Sequence, residues 1–179
     1  MASPAYRLVI KNSFLAFEEQ KLKRQTSAPG ELDFPSTVIL RNLPLSTTRQ
    51  ALRDLLDQNG FESLYDFIYV PQKMLSHVGF GYCFINLVSV EAVKRFQDHF
   101  EGYWYRDQRL HVQWAKVQGL RENLERYRNS PVMHSSTPQE SKPMRLRHGQ
   151  PVAFPKPTEE LRAPKLRLCR SRLPSSPYA

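Results

Sequence analysis

Between residues 36 and 130, apolar and polar positions recur with two periods. Val38, Ile39 and Leu40 form a short aliphatic run that ends at Asn42-Leu43-Pro44, the pattern of a strand bounded by a turn. Ala51, Leu52, Leu55 and Leu56 then recur at helical spacing. Thr47 is placed to cap this helix, with Gln50 completing a capping box, and Asn59-Gly60 is placed to close it. Residues 65–70 read as a second strand stopped by Pro71, and residues 81–87 as a third, rich in aromatic and aliphatic side chains. A second helix is expected after Ser89, a capping residue with Glu91 in the first turn, where the helix dipole favours negative charge. Val93, Phe96 and Phe100 form its apolar stripe, and Glu101-Gly102 ends it. In residues 110–114, Leu110, Val112 and Trp114 alternate with His111 and Gln113, as in a fourth strand with one buried face. After Gly119, Leu120, Leu124 and Tyr127 share one stripe of a further helix.

The order β-α-β-β-α-β defines an α+β class, the ferredoxin-like split βαβ, with one extra C-terminal helix. Two helices cover one face of a four-stranded sheet, and the other face is left for solvent, a ligand or the extra helix. The flanks read differently. Nine of the 14 prolines lie after residue 130 and two lie within 36–130. Proline removes a backbone donor and fixes φ, so this distribution predicts a disordered Pro-rich tail over 131–179. Residues 1–35 read as a flexible arm, in which Phe14, Leu15 and Phe17 are available to dock.

Charge sharpens this division. The net charge of +9 is spread as +1 over 1–35, +2 over 36–130 and +6 over 131–179. The basic tail suits a polyanion through salt-sensitive, sequence-independent attraction. Cys83 and Cys169 form neither a disulfide framework nor a zinc pattern, and no apolar run is long enough to span a membrane. An intracellular protein is expected, in the nucleus, the cytoplasm or both, and a monomer.

The third strand, Phe80-Gly81-Tyr82-Cys83-Phe84-Ile85-Asn86-Leu87, resembles the octamer of the RNA recognition motif. Alternation sends Cys83, Ile85 and Leu87 toward the helices and Tyr82 and Phe84 to the open face. The first strand, Val38-Ile39-Leu40-Arg41-Asn42-Leu43, resembles the companion hexamer, with Ile39 where an aromatic residue is usual. Four stretches narrow the resemblance: 38–44, 65–71, 81–87, and Trp114-Ala115-Lys116-Val117-Gln118-Gly119 with the helix that follows. A Phe-x-Gly-x-Trp-like element at Phe100, Gly102 and Trp104 joins them. Together they are similar to the C-terminal RNA recognition motif of the Mei-two-like proteins. The resemblance implies non-catalytic binding of single-stranded RNA, such as mRNA, in post-transcriptional regulation, with no cofactor.

On that basis the expected RNA contacts are Tyr82 and Phe84 by stacking, with Ile39 and Arg41 beside them, and His111 and Gln113 at base edges. Lys116 and Lys73 are expected at phosphates. Trp104 and Trp114 are expected in the core. Ile39 and the nearly neutral domain charge motivate a rival reading, a protein-interaction module that keeps the fold without RNA. The Pro-rich stretch 151–157 offers a protein-binding segment. Arg24 and Pro29 frame Ser27 as a phosphorylation site for a basic-directed kinase. Gly79-Phe80-Gly81 lacks the following lysine and helix of a phosphate loop, and no grouping of nucleophile, base and acid suggests an enzyme.

Overall fold

The computed structural model describes residues 34–73, 76 and 78–164, together with the backbone of residues 6–11 and 14–19. Ser27 and residues 165–179 lie outside the described residues, so the phosphorylation site and the last basic cluster are not placed.

Strand β1 (Tyr6–Lys11) pairs antiparallel with β2 (Phe14–Glu19), within the arm read as flexible from sequence. The domain follows in the expected order: β3 (Thr37–Arg41), α1 (Arg49–Gln58), β4 (Tyr65–Tyr69), β5 (Tyr82–Leu87), α2 (Val90–Phe100), the hairpin β6 (Trp104–Tyr105) and β7 (Gln108–Arg109), β8 (His111–Trp114) and α3 (Leu120–Arg128). Helix α1 starts one residue later than read from sequence. Thr48, in extended backbone, accepts from Ala51 N at 3.1 Å and is the cap, whereas Thr47 is buried. For α2 the cap is Ser89, which accepts from Ala92 N at 3.1 Å.

Leu52, Leu55 and Leu56 of α1 and Val93, Phe96 and Phe100 of α2 face Val38, Leu40, Cys83, Ile85 and Leu87 of the sheet. The strand residues alternate along β3 and β5, so one face of the sheet makes the main core and the other turns away from α1 and α2. Phe61 caps the cluster, with ring centroids 5.4 Å from Phe96 and 5.3 Å from Phe100. Burial raises the Cys83 thiol far above its usual range, consistent with a packed core side chain.

The expectation of a disordered tail from residue 131 is corrected. Two short 3-10 turns lead to β9 (Met144–Arg147) and β10 (Gln150–Val152), which extend the sheet to six strands in the order β10-β9-β4-β5-β3-β8. Three anchors hold this addition. Leu146 is 1% exposed within the main core. The guanidinium of Arg49, buried at the start of α1, donates to the carbonyl oxygens of Gln139 (2.8 Å) and Lys142 and lies 3.6 Å from Glu140. Ser141 Oγ donates to Gln72 Oε1 at 2.9 Å. Composition hid the segment because its order comes from pairing with the edge of β4, which is 78 residues away in sequence at Phe67–Arg145 and 76 at Ile68–Met144.

Both outer edges of this sheet are blunted, which matters because an unpaired strand is a template for association. On β8, Glu101 Oε2 accepts from Val112 N at 2.8 Å. On β10, Pro151 removes a donor.

Candidate functional site

Strand pairing arranges the open face in rows. Arg41 lies between His111 and Tyr82, Ile39 between Gln113 and Phe84 with Tyr69 beyond, and Thr37 beside Asn86 with Phe67 beyond. A bulge between Tyr65 and Phe67 is what turns Phe67 and Tyr69 to this face while Tyr65 and Ile68 stay in the core.

Helix α3 crosses the β4 side of the face. Phe67, fully buried, joins Leu124 and Tyr127 in a second small core, with Tyr69, Phe84, Leu120, Val132 and Phe154 packed around it. The Tyr127 ring stacks on Phe67 at 5.6 Å and tilts against Tyr69 at 4.8 Å. Burial raises the phenols of both Tyr69 and Tyr127 above their ordinary value.

A polar network pins α3 from below. Gln118 uses all four of its hydrogen-bonding sites: Oε1 accepts from Ser36 N and Thr37 N, and Nε2 donates to Thr37 O and Ala115 O. Thr37 Oγ1 accepts from Gly119 N and Asn123 Nδ2, each at 3.0 Å, and donates to Asn86 Oδ1 at 2.7 Å. Asn86 Nδ2 donates to Asp66 Oδ1 at 2.8 Å. Burial pushes the Asp66 carboxyl up to about 6, against the opposing pull of Asn86 and the Arg145 charge.

The other half of the face stays open. Tyr82, Phe84 and Ile39 are half-exposed. The Tyr82 and Phe84 rings meet edge to face at 5.6 Å, and Phe80, 51% exposed, continues the aromatic strip at 6.4 Å from Tyr82. Arg41 sits with its guanidinium carbon 5.8 Å from the Tyr82 ring centre, and its Nε donates to Gln113 Oε1. That bond occupies the amide oxygen of Gln113 and turns its NH2 outward. His111 Nδ1 lies 2.7 Å from Glu101 Oε1. A carboxylate accepts only, so Nδ1 carries the proton and Nε2 is presented to solvent.

Six of the eight contacts expected from sequence therefore converge: Tyr82, Phe84, Ile39, Arg41, His111 and Gln113. The two lysines do not join them. Lys73, in the β4–β5 connection, is exposed near the Tyr82 end of the sheet, and Lys116, also exposed, lies at the opposite end, beyond Trp114. Trp114 is partly buried against the core, as expected, but Trp104 is 67% exposed and not a core residue. Its neighbours Tyr103 and Tyr105 take the core positions, a period-two signal that the sequence carried. The Pro-rich stretch 151–157 is engaged within the domain. Pro151 is in β10, Phe154 packs on the α3 cluster, and Thr158 N donates to Asn129 Oδ1 at 2.9 Å. Among the described residues no group of three or more His, Cys, Asp or Glu could hold a metal ion.

The RNA recognition motif 2 family model matches residues 35–128. Meiosis protein mei2 of Schizosaccharomyces pombe is 29% identical over 106 residues, covering 57% of this chain and 14% of that protein. Protein terminal ear1 of Zea mays is 30% identical over 124 residues, covering 59% and 19%. The chain thus spans less than a fifth of the length of either relative. A solved structure described as the Rna15 RRM with bound RNA (GU) aligns with a TM-score of 0.43 at 20% identity, covering 48% of this chain and 89% of that one.

Proposed function

We propose that this chain, which belongs to the RNA recognition motif 2 family, binds single-stranded RNA through the open half of its sheet and does so without catalysis. The observation that carries the reading is the pair Tyr82 and Phe84, half-exposed on a face whose other half is closed by α3. Rings left partly open beside a core that buries Tyr65 and Phe67 of β4 suit unpaired bases, which supply further stacking surface. Arg41 adds charge at the platform, and the outward NH2 of Gln113 and the free Nε2 of His111 suit base edges. With Phe67 and Tyr69 occupied by α3, the platform holds a short stretch of RNA. Ile39 contributes contact without full stacking, so the platform's affinity is modest and the basic tail, with +6 over 131–179, adds salt-sensitive affinity.

The role this supports is post-transcriptional regulation of mRNA or another regulatory RNA inside the cell, in the nucleus, the cytoplasm or both. The blunted edges at Glu101 and Pro151 favour a monomer. Lys73 and Lys116 serve as phosphate contacts at the two ends of the platform.

The test titrates the full chain with a pool of short single-stranded RNAs at low and moderate salt, beside a Tyr82→Ala/Phe84→Ala variant. Binding that the variant loses while keeping a native circular-dichroism spectrum supports the reading. Binding that the variant keeps unchanged moves RNA to the tail, and no binding by either protein favours a protein ligand for the sheet.

A further inference from the structure

The hairpin of β6 and β7 is continuous with β8. Trp104 pairs with Arg109 and Tyr105 with Gln108, and Leu110 N donates to Tyr103 O at 2.8 Å just before β8 begins. Alternation along this run sets Leu110, 1% exposed, into the core and Arg109 on the same side as His111 and Gln113. Trp104 lies directly across from Arg109 and therefore on that side too. Tyr103 and Tyr105, its neighbours, pack toward the core. At 67%, Trp104 is the most exposed of the large apolar side chains among the described residues. It adds nothing to the core, and it stands on the extension of the face that carries Tyr82 and Phe84.

The hairpin is held in place and carries cations. Asn42 Nδ2, at the end of β3, donates to Arg109 O at 2.8 Å. Arg106 Nη1 reaches Ser46 Oγ at 3.4 Å, with its guanidinium carbon 5.4 Å from the centre of the Tyr105 ring. Arg109 Nε donates to Gly102 O at 3.3 Å, so this side chain lies along the base of the hairpin. Within the hairpin two arginines face one acid, Asp107, and Glu101 at its base is held by His111 and Val112, so with Arg41 this end of the sheet keeps a net positive charge suited to phosphates.

We infer that Trp104 is a further nucleotide-binding position, on which a base of the RNA strand beyond those on Tyr82 and Phe84 stacks, with Arg106 and Arg109 beside its phosphates. This rests on the RNA reading above. Continuity with the platform and the sign of the charge select a nucleotide over a peptide as occupant. An indole has the largest π-face available to a protein, and stacking on it tolerates any base.

The experiment uses the full chain, a series of single-stranded RNAs from about three to about ten nucleotides, and the variants Trp104→Ala and Trp104→Phe. The wild type gains affinity once the RNA is long enough to reach past the platform. Trp104→Ala binds the shortest RNAs like the wild type but the longer ones about 5- to 150-fold more weakly, the range for one lost stack. Trp104→Phe keeps most of the gain. RNA also quenches tryptophan fluorescence in the wild type, and the quench largely disappears in Trp104→Phe, whose remaining tryptophan is Trp114. Wild-type affinity and quench in both variants, in a protein whose RNA binding still depends on Tyr82 and Phe84, would overturn this inference alone. Failure of the wild type to bind RNA at any length would overturn the platform reading and this one together.

Discussion

The two halves of one sheet face have nearly the same aromatic content and opposite fates. On the β4 side, Phe67 and Tyr69 lie under Tyr127 and Leu124, and Phe67 is fully buried. On the β3 side of β5, Tyr82 and Phe80 keep substantial exposure and no helix covers them. Hydrophobicity does not separate these halves; polar anchoring does. Thr37, Asn86 and Gln118 fix the start of α3 at one end of the sheet, and the helix then runs over β4. Arg41, Gln113, His111 and Glu101 form a polar border along the other half. The same chemistry thus makes a core where a helix is pinned and an open aromatic face where it is not.

The comparison breaks first at the platform. Removing both rings in Tyr82→Ala/Phe84→Ala should cost about 2–6 kcal/mol of RNA binding, at roughly 1–3 kcal/mol per stack, with a smaller loss of thermal stability from the packing of Phe84 on the α3 cluster. Calorimetric titration beside a melting curve measures both. A melting point that falls sharply while affinity holds would assign the rings to the core.

Tyr127→Ala attacks the covered half. It should lower stability by about 2–4 kcal/mol, the range for losing a large buried side chain, and speed hydrogen exchange in α3 before the rest of the domain. Unchanged exchange in α3 would show that its docking rests elsewhere.

Asn86→Ala leaves Asp66 without its donor and removes the acceptor of Ser36 and Thr37. Each orphaned buried group costs about 1–3 kcal/mol, and partial rearrangement keeps the total near that range. Chemical denaturation measures it, and a loss confined to tenths of a kcal/mol would argue that the network is incidental.

The smallest effect is a pH dependence at Asp66. Its carboxyl is pushed up to about 6 by burial, above its usual value of 3.8, so the folded state holds this proton more tightly than the unfolded chain. The stability associated with Asp66 is therefore greatest below about pH 4, falls as the pH rises to about 6, and is flat above that. Asp66→Asn removes the dependence. Its stability relative to the wild type should grow by at most about 3 kcal/mol between those pH values. A difference between the two proteins that stays constant from pH 4 to 7 would contradict the assignment.

Much of this architecture is legible without coordinates because it follows from local periodicity. The stripes of α1, α2 and α3 and the alternation in β5 and β8 placed the core and brought six of the expected contacts to one face. The misplaced cap shows the limit of that reading. Thr47 and Thr48 are both competent, and only the packing that buries Thr47 leaves Thr48 free to cap. Residue type favours the interior for Trp104, although its place between Tyr103 and Tyr105 implies the opposite side.

Element order, the aromatic pair on β5 and the aliphatic substitute at Ile39 are properties of the chain alone, since side-chain period and backbone sterics act between near neighbours. Which half of the face closes is not. It depends on a bulge in β4 that turns Phe67 and Tyr69 outward, on the bonds of Thr37 to Gly119 and Asn123, and on Arg49 holding residues 139–142 so that β9 can pair with β4. These contacts join positions about 70–90 residues apart, and their geometry exists only after the sheet has formed.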